Sequence, residues 1–332
     1  MVAGAPGRVT ILGEHTDYNG GRSLGIATAQ HTVVTAAPGT PDTIEVASTS
    51  CGTATASLAQ PAGPGFVVLA AALARAAGVS GVRLAVDGDL PVGAGLSSSG
   101  SYAVAVALAL GLEGAPLEVA RACQAAERAA GSDVGLLDQL VILSAQAGSV
   151  VELDFGVDDP TVRTILLNPA IGLSVVDSGE RRLVASSAYA ARRAECAAAA
   201  AVIGPLGRAT LADLDRLADP TLVRRARHVV TECARVERAR DALGDGDLAT
   251  LATLLDEGHE SLRDDFGAST RAVEAARDAV RGLAGVVGVR LTGAGFGGCL
   301  VVAHDPATEV VVPGAWSARL RGSGGASLSV VR

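Results

Sequence analysis

The sequence contains no lysine; all 27 of its basic residues are arginine. That absence removes several enzyme classes. A Walker-type phosphate loop needs its lysine, a Schiff-base enzyme needs an amine nucleophile, and a protein kinase needs a strand lysine on the nucleotide. Any nucleotide must be held by backbone amides, hydroxyls and arginine. Aromatic residues are only 2% of the 332 residues, so a core has to be assembled from Ala, Val and Leu. With 49% apolar residues there is enough of it for two domains or one large one. A cationic surplus is also missing. The net charge of -8 argues against nucleic acid or an acidic membrane surface as partner, because both select cationic stripes. The five cysteines (Cys51, Cys123, Cys196, Cys233 and Cys299) are odd in number and show no CxxC spacing, the pattern of reduced thiols in a cytoplasmic protein. Five dispersed histidines offer no His/Cys metal set. The longest apolar runs, 66–74 and 103–110, fall well short of the about 20 residues a bilayer requires. No basic flank precedes a long apolar stretch at the N-terminus, so no signal peptide is expected.

Strand and helix patterns mix throughout. Residues 8–12, 32–37, 44–47, 84–86, 149–153, 171–176 and 286–291 read as strands. Residues 66–77, 102–110, 116–130, 186–203 and parts of 222–256 read as helices. Asp158, Asp159 and Pro160 interrupt regular structure, which suggests a domain boundary between 160 and 170. Segment 320–326 is rich in Gly and Ser and reads as a flexible stretch.

One loop carries chemistry on its own composition. Pro91 to Ser101 (PVGAGLSSSGS) follows a strand and opens directly into an apolar helix. Glycines such as Gly93 and Gly95 let backbone N–H groups turn toward phosphate oxygens. The helix start adds unpaired N–H groups and the positive end of its dipole. Leu96, Ser97, Ser98, Ser99, Gly100 and Ser101 complete the candidate nucleotide loop. Most Gly/Ser runs are linkers, but a linker rarely sits between a strand and an apolar helix.

Three ordered segments together resemble the galactokinase family of the GHMP kinase superfamily. Ala5 to Asn19 (APGRVTILGEHTDYN) is similar to the galactokinase signature, Pro91 to Ser101 to the phosphate loop, and Leu291 to Cys299 (LTGAGFGGC) to the C-terminal Gly-rich motif. Gly135 to Gln139 (GLLDQ) and Ser187 to Cys196 (SAYAARRAEC) resemble galactokinases in particular; Arg224 to Glu232 and Ser261 to Phe266 match more weakly. The resemblance implies an α+β, two-domain fold. An N-terminal α/β domain with a left-handed βαβ unit would span 1–168 and a ferredoxin-like C-terminal domain 169–332, with the active site in the cleft between them.

The resemblance also implies roles. Asp138 matches the carboxylate beside the attacking sugar hydroxyl, where it can accept the proton or orient the nucleophile. Arg8 matches the arginine facing it, a fixed cation that favours the charged form and can stabilise the transferring phosphoryl group. Glu14, His15 and Asp17 match positions that hydrogen-bond sugar hydroxyls, with Tyr189 and the backbone at Gly135 as further contacts. ATP is the implied phosphoryl donor. Ser99 matches a Mg2+ ligand, Ser98 less closely, and Glu127 resembles the second ligand.

The chain also departs from the family pattern. The spacing from Glu127 to Asp138 is one residue shorter than expected, and Phe66 is the only aromatic residue near the base position. Arg22 and Gly25 replace a Phe and a Pro, and Arg182 stands where the family tends to have His. Arginine suits bidentate phosphate recognition, so a substrate with a distal phosphate is set against solvated surface charges at Arg22 and Arg182. Three functions fit these residues: a galactokinase, an anomeric kinase for a different sugar such as an already phosphorylated heptose or octose, or a sensor that binds without catalysing. The intact serines and the Arg8 and Asp138 pair favour an active enzyme.

Overall fold

The computed structural model describes residues 1–132, 134–156, 159–180 and 185–329. The chain opens with β1 (Val2–Leu12) paired antiparallel to the long β2 (Arg22–Pro38). Their turn carries the signature segment, so its residues are fixed at both ends by one ladder. The sheet grows outward from β2 through β5 (Val82–Gly88) to β3 (Thr43–Ser48) and β4 (Gly52–Ser57). β6 (Ser149–Asp154) branches from β2 and pairs with β7 (Thr161–Leu166). β3 and β5 run parallel, which requires a crossover. β4 and the helix α1 (Gly65–Ala76) supply it.

Packed with α1 on this sheet are α2 (Ser98–Ala109) and α4 (Leu137–Ser144), and α3 (Pro116–Ala129) packs against these helices. Residues 103–107 of α2 are wholly buried, so a helix apolar all round lies at the centre of the half. Small Ala and Val side chains there let helix and sheet approach closely, which is how a core with so few aromatics closes.

β8 (Gly172–Asp177) starts a second sheet. It is followed by α5 (Ala185–Ile203), α6 (Pro220–Asp245), α7 (Leu248–Ser261) and α8 (Arg271–Arg281). β9 (Val286–Leu291), β10 (Cys299–His304) and β11 (Ser317–Leu320) complete it. The order β11-β8-β10-β9 is all antiparallel, the fourth-first-third-second arrangement of a ferredoxin-like sheet. Here no helix links β10 to β11. The fold is α+β, as the resemblance implies.

The two sheets share a core. Val9, Ile11, Leu24 and Leu96 from the first half pack with Leu173, Val175, Val236 and Val301 from the second. The chain then returns to the first sheet, where β12 (Ser327–Ser329) pairs with β1. The Gly/Ser stretch expected to be flexible is therefore the approach to a strand, with Gly322 set against the Ser149 backbone. β4, β7, β11 and β12 were not foreseen from the sequence; β4, β7 and β12 are short, largely exposed strands, and β11 has only four residues. Among the described residues, no helix is long and apolar enough to cross a membrane.

Candidate active site

Arg8 and Asp138 meet although 130 positions separate them. A Cβ on Gly7 would lie 2.5 Å from Leu90 Cδ1 and 2.9 Å from Leu96 O, so glycine lets β1 press against the Gly/Ser loop. The Arg8 amide donates to Leu96 O (3.0 Å). Its guanidinium reaches Asp138 Oδ1 through Nε (2.6 Å) and Nη2 (2.6 Å), and donates through Nη1 to Gly95 O (3.0 Å). Ser97 Oγ donates to Asp138 Oδ2 at 2.5 Å. Such charge-assisted contacts are short and directional. The Asp138 side chain keeps 28% exposure, so it remains open to the cleft.

The signature segment is dry. Glu14, His15 and Thr16 are buried, and His15 holds a left-handed backbone at φ 65°, a conformation uncommon outside glycine and concentrated at functional sites. Its ring stacks on Phe266 at 4.2 Å and its Nδ1 lies 3.0 Å from Tyr18 Oη. Burial, then the neighbouring His228 and Arg290, push its pKa well below the usual histidine value, so the imidazole is neutral. Its Nε2 is buried without a well-aligned hydrogen bond, with the Ala294 backbone nearby. A buried polar atom left in this way is costly and suits a ligand hydroxyl.

Glu14 joins a buried charge network that links the two halves. Arg290 Nη2 lies 2.6 Å from Glu14 Oε2 and donates to Glu232 Oε1 at 2.6 Å. The contact to Glu14 is out of line for a hydrogen bond, which leaves that oxygen without one. Glu232 also accepts from the Gly13 amide (2.7 Å) and from Arg235 Nε (2.8 Å). Arg290 Nη1 reaches Ile11 O (3.2 Å), and the Gly293 amide reaches Glu14 Oε1 (3.2 Å). Burial works against both carboxylates. Arg290 and Arg235 overcome it at Glu232, whose carboxyl is held well down, whereas Glu14 is left raised. His228, pushed by burial to about 4, ties α6 to the Glu14 carbonyl (3.2 Å) and to Ser261 Oγ (2.9 Å).

Asp17 lies against Gly135, where any Cβ would collide with its Oδ2. Burial, with the nearby Asp138 charge, raises the Asp17 pKa from 3.8 to about 6. The Tyr189 ring centroid is 5.8 Å from that of His15. Arg193, one helical turn beyond Tyr189, places its guanidinium 4.8 Å from the Tyr18 ring and 5.9 Å from the Tyr189 ring.

On the other side of Asp138, a cavity of about 300 Å³ is lined by Ser98, Ser99, Glu127, Phe66 and Tyr102, with the β3–β4 turn including Cys51 across it. Tyr102 therefore adds a second aromatic ring beside Phe66, its hydroxyl donating to Phe66 O (2.9 Å). The Ser99 side chain hydrogen-bonds Glu127, and Gln139 Nε2 donates to Glu127 Oε2. Burial, then the Asp138 charge, raises the Glu127 pKa to about 7. Among the described residues, no cluster of three His, Cys, Asp or Glu could hold a metal by itself. Mg2+ needs only one or two protein oxygens beside phosphates and water, and the Ser99 and Glu127 oxygens fit that demand.

Other candidates lie elsewhere. Ser101 is wholly buried and its hydroxyl is engaged by Ala5 O (2.7 Å) and Thr32 Oγ1 (2.9 Å); it pins α2 to the sheet and offers nothing to a nucleotide. The Leu96 side chain is in the core, leaving only its backbone at the loop. Gly93 and Gly95 turn the loop with φ of 77° and 88°. Arg22 does not join the signature residues: Asp154 (2.9 Å) and Glu237 hold its guanidinium, and Arg208 shares Asp154. Arg182 lies outside the described residues. Glu232, Arg290, Arg193 and Tyr102 were not singled out from the sequence. Arg290 had a visible signal, a charge inside the otherwise apolar strand Val286–Leu291.

Comparison with known proteins agrees with this geometry. Residues 1–38 match the galactokinase galactose-binding signature, 66–146 the GHMP kinases N terminal domain and 239–312 the GHMP kinases C terminal domain. A galactokinase of Mycobacterium tuberculosis is 40% identical over 92% of this chain and 90% of its own length. The Homo sapiens galactokinase is 34% identical over 91% and 83%. The crystal structure of Lactococcus lactis galactokinase complexed with galactose superposes with a TM-score of 0.85 at 26% identity, covering 98% of this chain and 94% of that one. A mevalonate kinase structure (TM-score 0.69, 15% identity) shares the fold. The chain belongs to the galactokinase family of the GHMP kinases, and is an ATP-using sugar kinase.

Proposed function

We propose that the chain phosphorylates the anomeric hydroxyl of galactose, with Asp138 as the group that receives or orients the hydroxyl proton. The observation that carries this reading is the position of the Asp138 carboxylate. It interacts electrostatically with Asp17 and Tyr189 on one side and with Glu127 on the other, so it stands between a hydroxyl-binding pocket and a phosphate-binding one. Glu14, His15, Asp17, Tyr189 and the backbone at Gly135 hold the sugar. Gly93, Gly95, Ser98 and Ser99 cradle the phosphates, and Arg8 faces the transferring group. Ser99 and Glu127 hold Mg2+, which supplies charge neutralisation on the phosphates when bound. With Asp138 and Arg8 both in place, a catalytic role is favoured over a purely sensing one.

Phosphoryl transfer asks mainly for positioning and electrostatic stabilisation, and this cleft offers both without a lysine. The engagement of Arg22 by Asp154 and Glu237 gives no support to a substrate with a distal phosphate. We place the domain boundary at the β7–β8 link, near residue 168. The odd number and wide spacing of the five cysteines support a reducing compartment, the cytoplasm.

The test is ADP release over a sugar panel with ATP and Mg2+, with the product read by phosphorus NMR. Galactose should turn over at about 1–100 per second and yield the sugar 1-phosphate. Turnover confined to phosphorylated heptoses or octoses contradicts the reading.

A further inference from the structure

We propose that Ser97 is a positioning residue for the transfer: its hydroxyl fixes the second oxygen of Asp138, and Gly100 leaves the space that this requires. The proposal rests on Asp138 being the carboxylate that faces the sugar hydroxyl.

Ser97 occupies the N-cap of α2, and its carbonyl accepts the first helical hydrogen bond, from the Ser101 amide (2.9 Å). A serine at that position ordinarily turns its oxygen back onto the exposed amides of the helix start. Ser97 makes no such bond. Its backbone is left-handed (φ 60°, ψ 48°), a conformation disfavoured for a residue with a side chain. The hydroxyl points instead to Asp138 Oδ2, 2.5 Å away. Both departures from ordinary capping therefore serve one contact.

Gly100 explains how that contact fits. It lies in the first turn of α2 and is not among the left-handed glycines, so no backbone demand accounts for it. Glycine within a helix is otherwise unfavourable. A Cβ at this position would stand 2.5 Å from Ser97 Oγ and 3.2 Å from Asp138 Cβ. Any larger residue would push the hydroxyl off the carboxylate.

The result is a two-point hold. Arg8 takes Oδ1 through two nitrogens, and Ser97 takes Oδ2. A carboxylate held at one oxygen can still swing about its Cβ–Cγ bond. Held at both, it presents the remaining lone pair of Oδ2 in a fixed direction, and orientation of this kind governs the rate more than it governs binding.

The test is steady-state kinetics on Ser97→Ala, Ser97→Gly, Gly100→Ala and the Ser97→Ala/Gly100→Ala pair, with Asp138→Asn alongside. Each single change at 97 or 100 should lower kcat about tenfold, leave both KM values within about twofold, and combine without further loss in the double variant. Ser97→Gly accepts the left-handed turn without steric strain, so it keeps the test open if Ser97→Ala folds poorly. A kcat for Ser97→Gly within about twofold of the parent overturns the proposal. So does a rise in the ATP KM alone, or multiplication of the two single losses in the double variant. Full activity in Asp138→Asn would instead remove the reading beneath it. An inactive Asp138→Asn beside an unimpaired Ser97→Gly removes the proposal only.

Discussion

At the sugar end of the cleft, Glu14 is 3% exposed and Glu232 and Arg290 are fully buried, while at the nucleotide end Val92 in the phosphate loop is 58% exposed. The first region presents buried polar side chains backed by the charges of Glu232, Arg235 and Arg290 in a dry interior. Those charges have to be neutralised by one another, because an unpaired buried charge is very unfavourable. The partners come from β1, α6 and β9, so the hydroxyl-binding residues are set by the docking of the two halves. The second region presents backbone amides and hydroxyls on a more exposed loop, which β1, α4 and β10 steady through single contacts. Damage at the sugar end should therefore spread to global stability, and damage at the nucleotide end should stay local.

The contrast is broken most strongly at Glu232. Removing it leaves Arg290 and Arg235 buried without their shared partner. Glu232→Ala should lose about 3–5 kcal/mol in urea unfolding, the range for a broken buried pair. A loss below about 1 kcal/mol would mean that the network is not holding the halves together.

Gly135 sharpens the comparison within the active site. Gly135→Ala drives a methyl group into Asp17 Oδ2. The galactose KM should rise by roughly 10–100-fold while the ATP KM holds, since misplacement of a positioning group has effects of that order. Equal changes in both KM values would show that the two ends are not separable.

The smallest effect is a pH signature at Asp17. Its folded pKa of about 6 lies above the ordinary 3.8, so its contribution to stability is fully present below 3.8 and is lost as pH rises through about 6. Asp17→Asn lacks that dependence. The variant should gain on the parent by about 1 kcal/mol between acid and neutral pH, allowing for water in the pocket. A stability difference that does not change with pH removes the assignment.

Much of this was legible in the sequence, but unevenly. The Gly/Ser loop, the strand before it and the apolar helix after it could be read from composition and period. Arg8 and Asp138 could be paired only through the family resemblance, because no local pattern brings together residues 130 positions apart. The Glu232 and Arg290 pair escaped for the same reason, although a charge inside an apolar strand was a usable warning. The separate surroundings of Ser101 and Ser97 were not legible either. Within a run of serines the sequence cannot say which hydroxyl faces the sheet, which the carboxylate and which the cavity, since successive helix positions turn by about 100°. β4 and β7 were missed because exposed strands lack an apolar rhythm.

On the reading proposed above, Asp138 acts at the junction of the two ends without being needed to hold the sugar. The direct measurement is kcat for Asp138→Asn together with galactose affinity by calorimetry. The expected result is a fall in kcat of about 10²–10⁴-fold with the galactose Kd nearly unchanged. Turnover at the parental rate, or a loss that lies wholly in galactose binding, would contradict it.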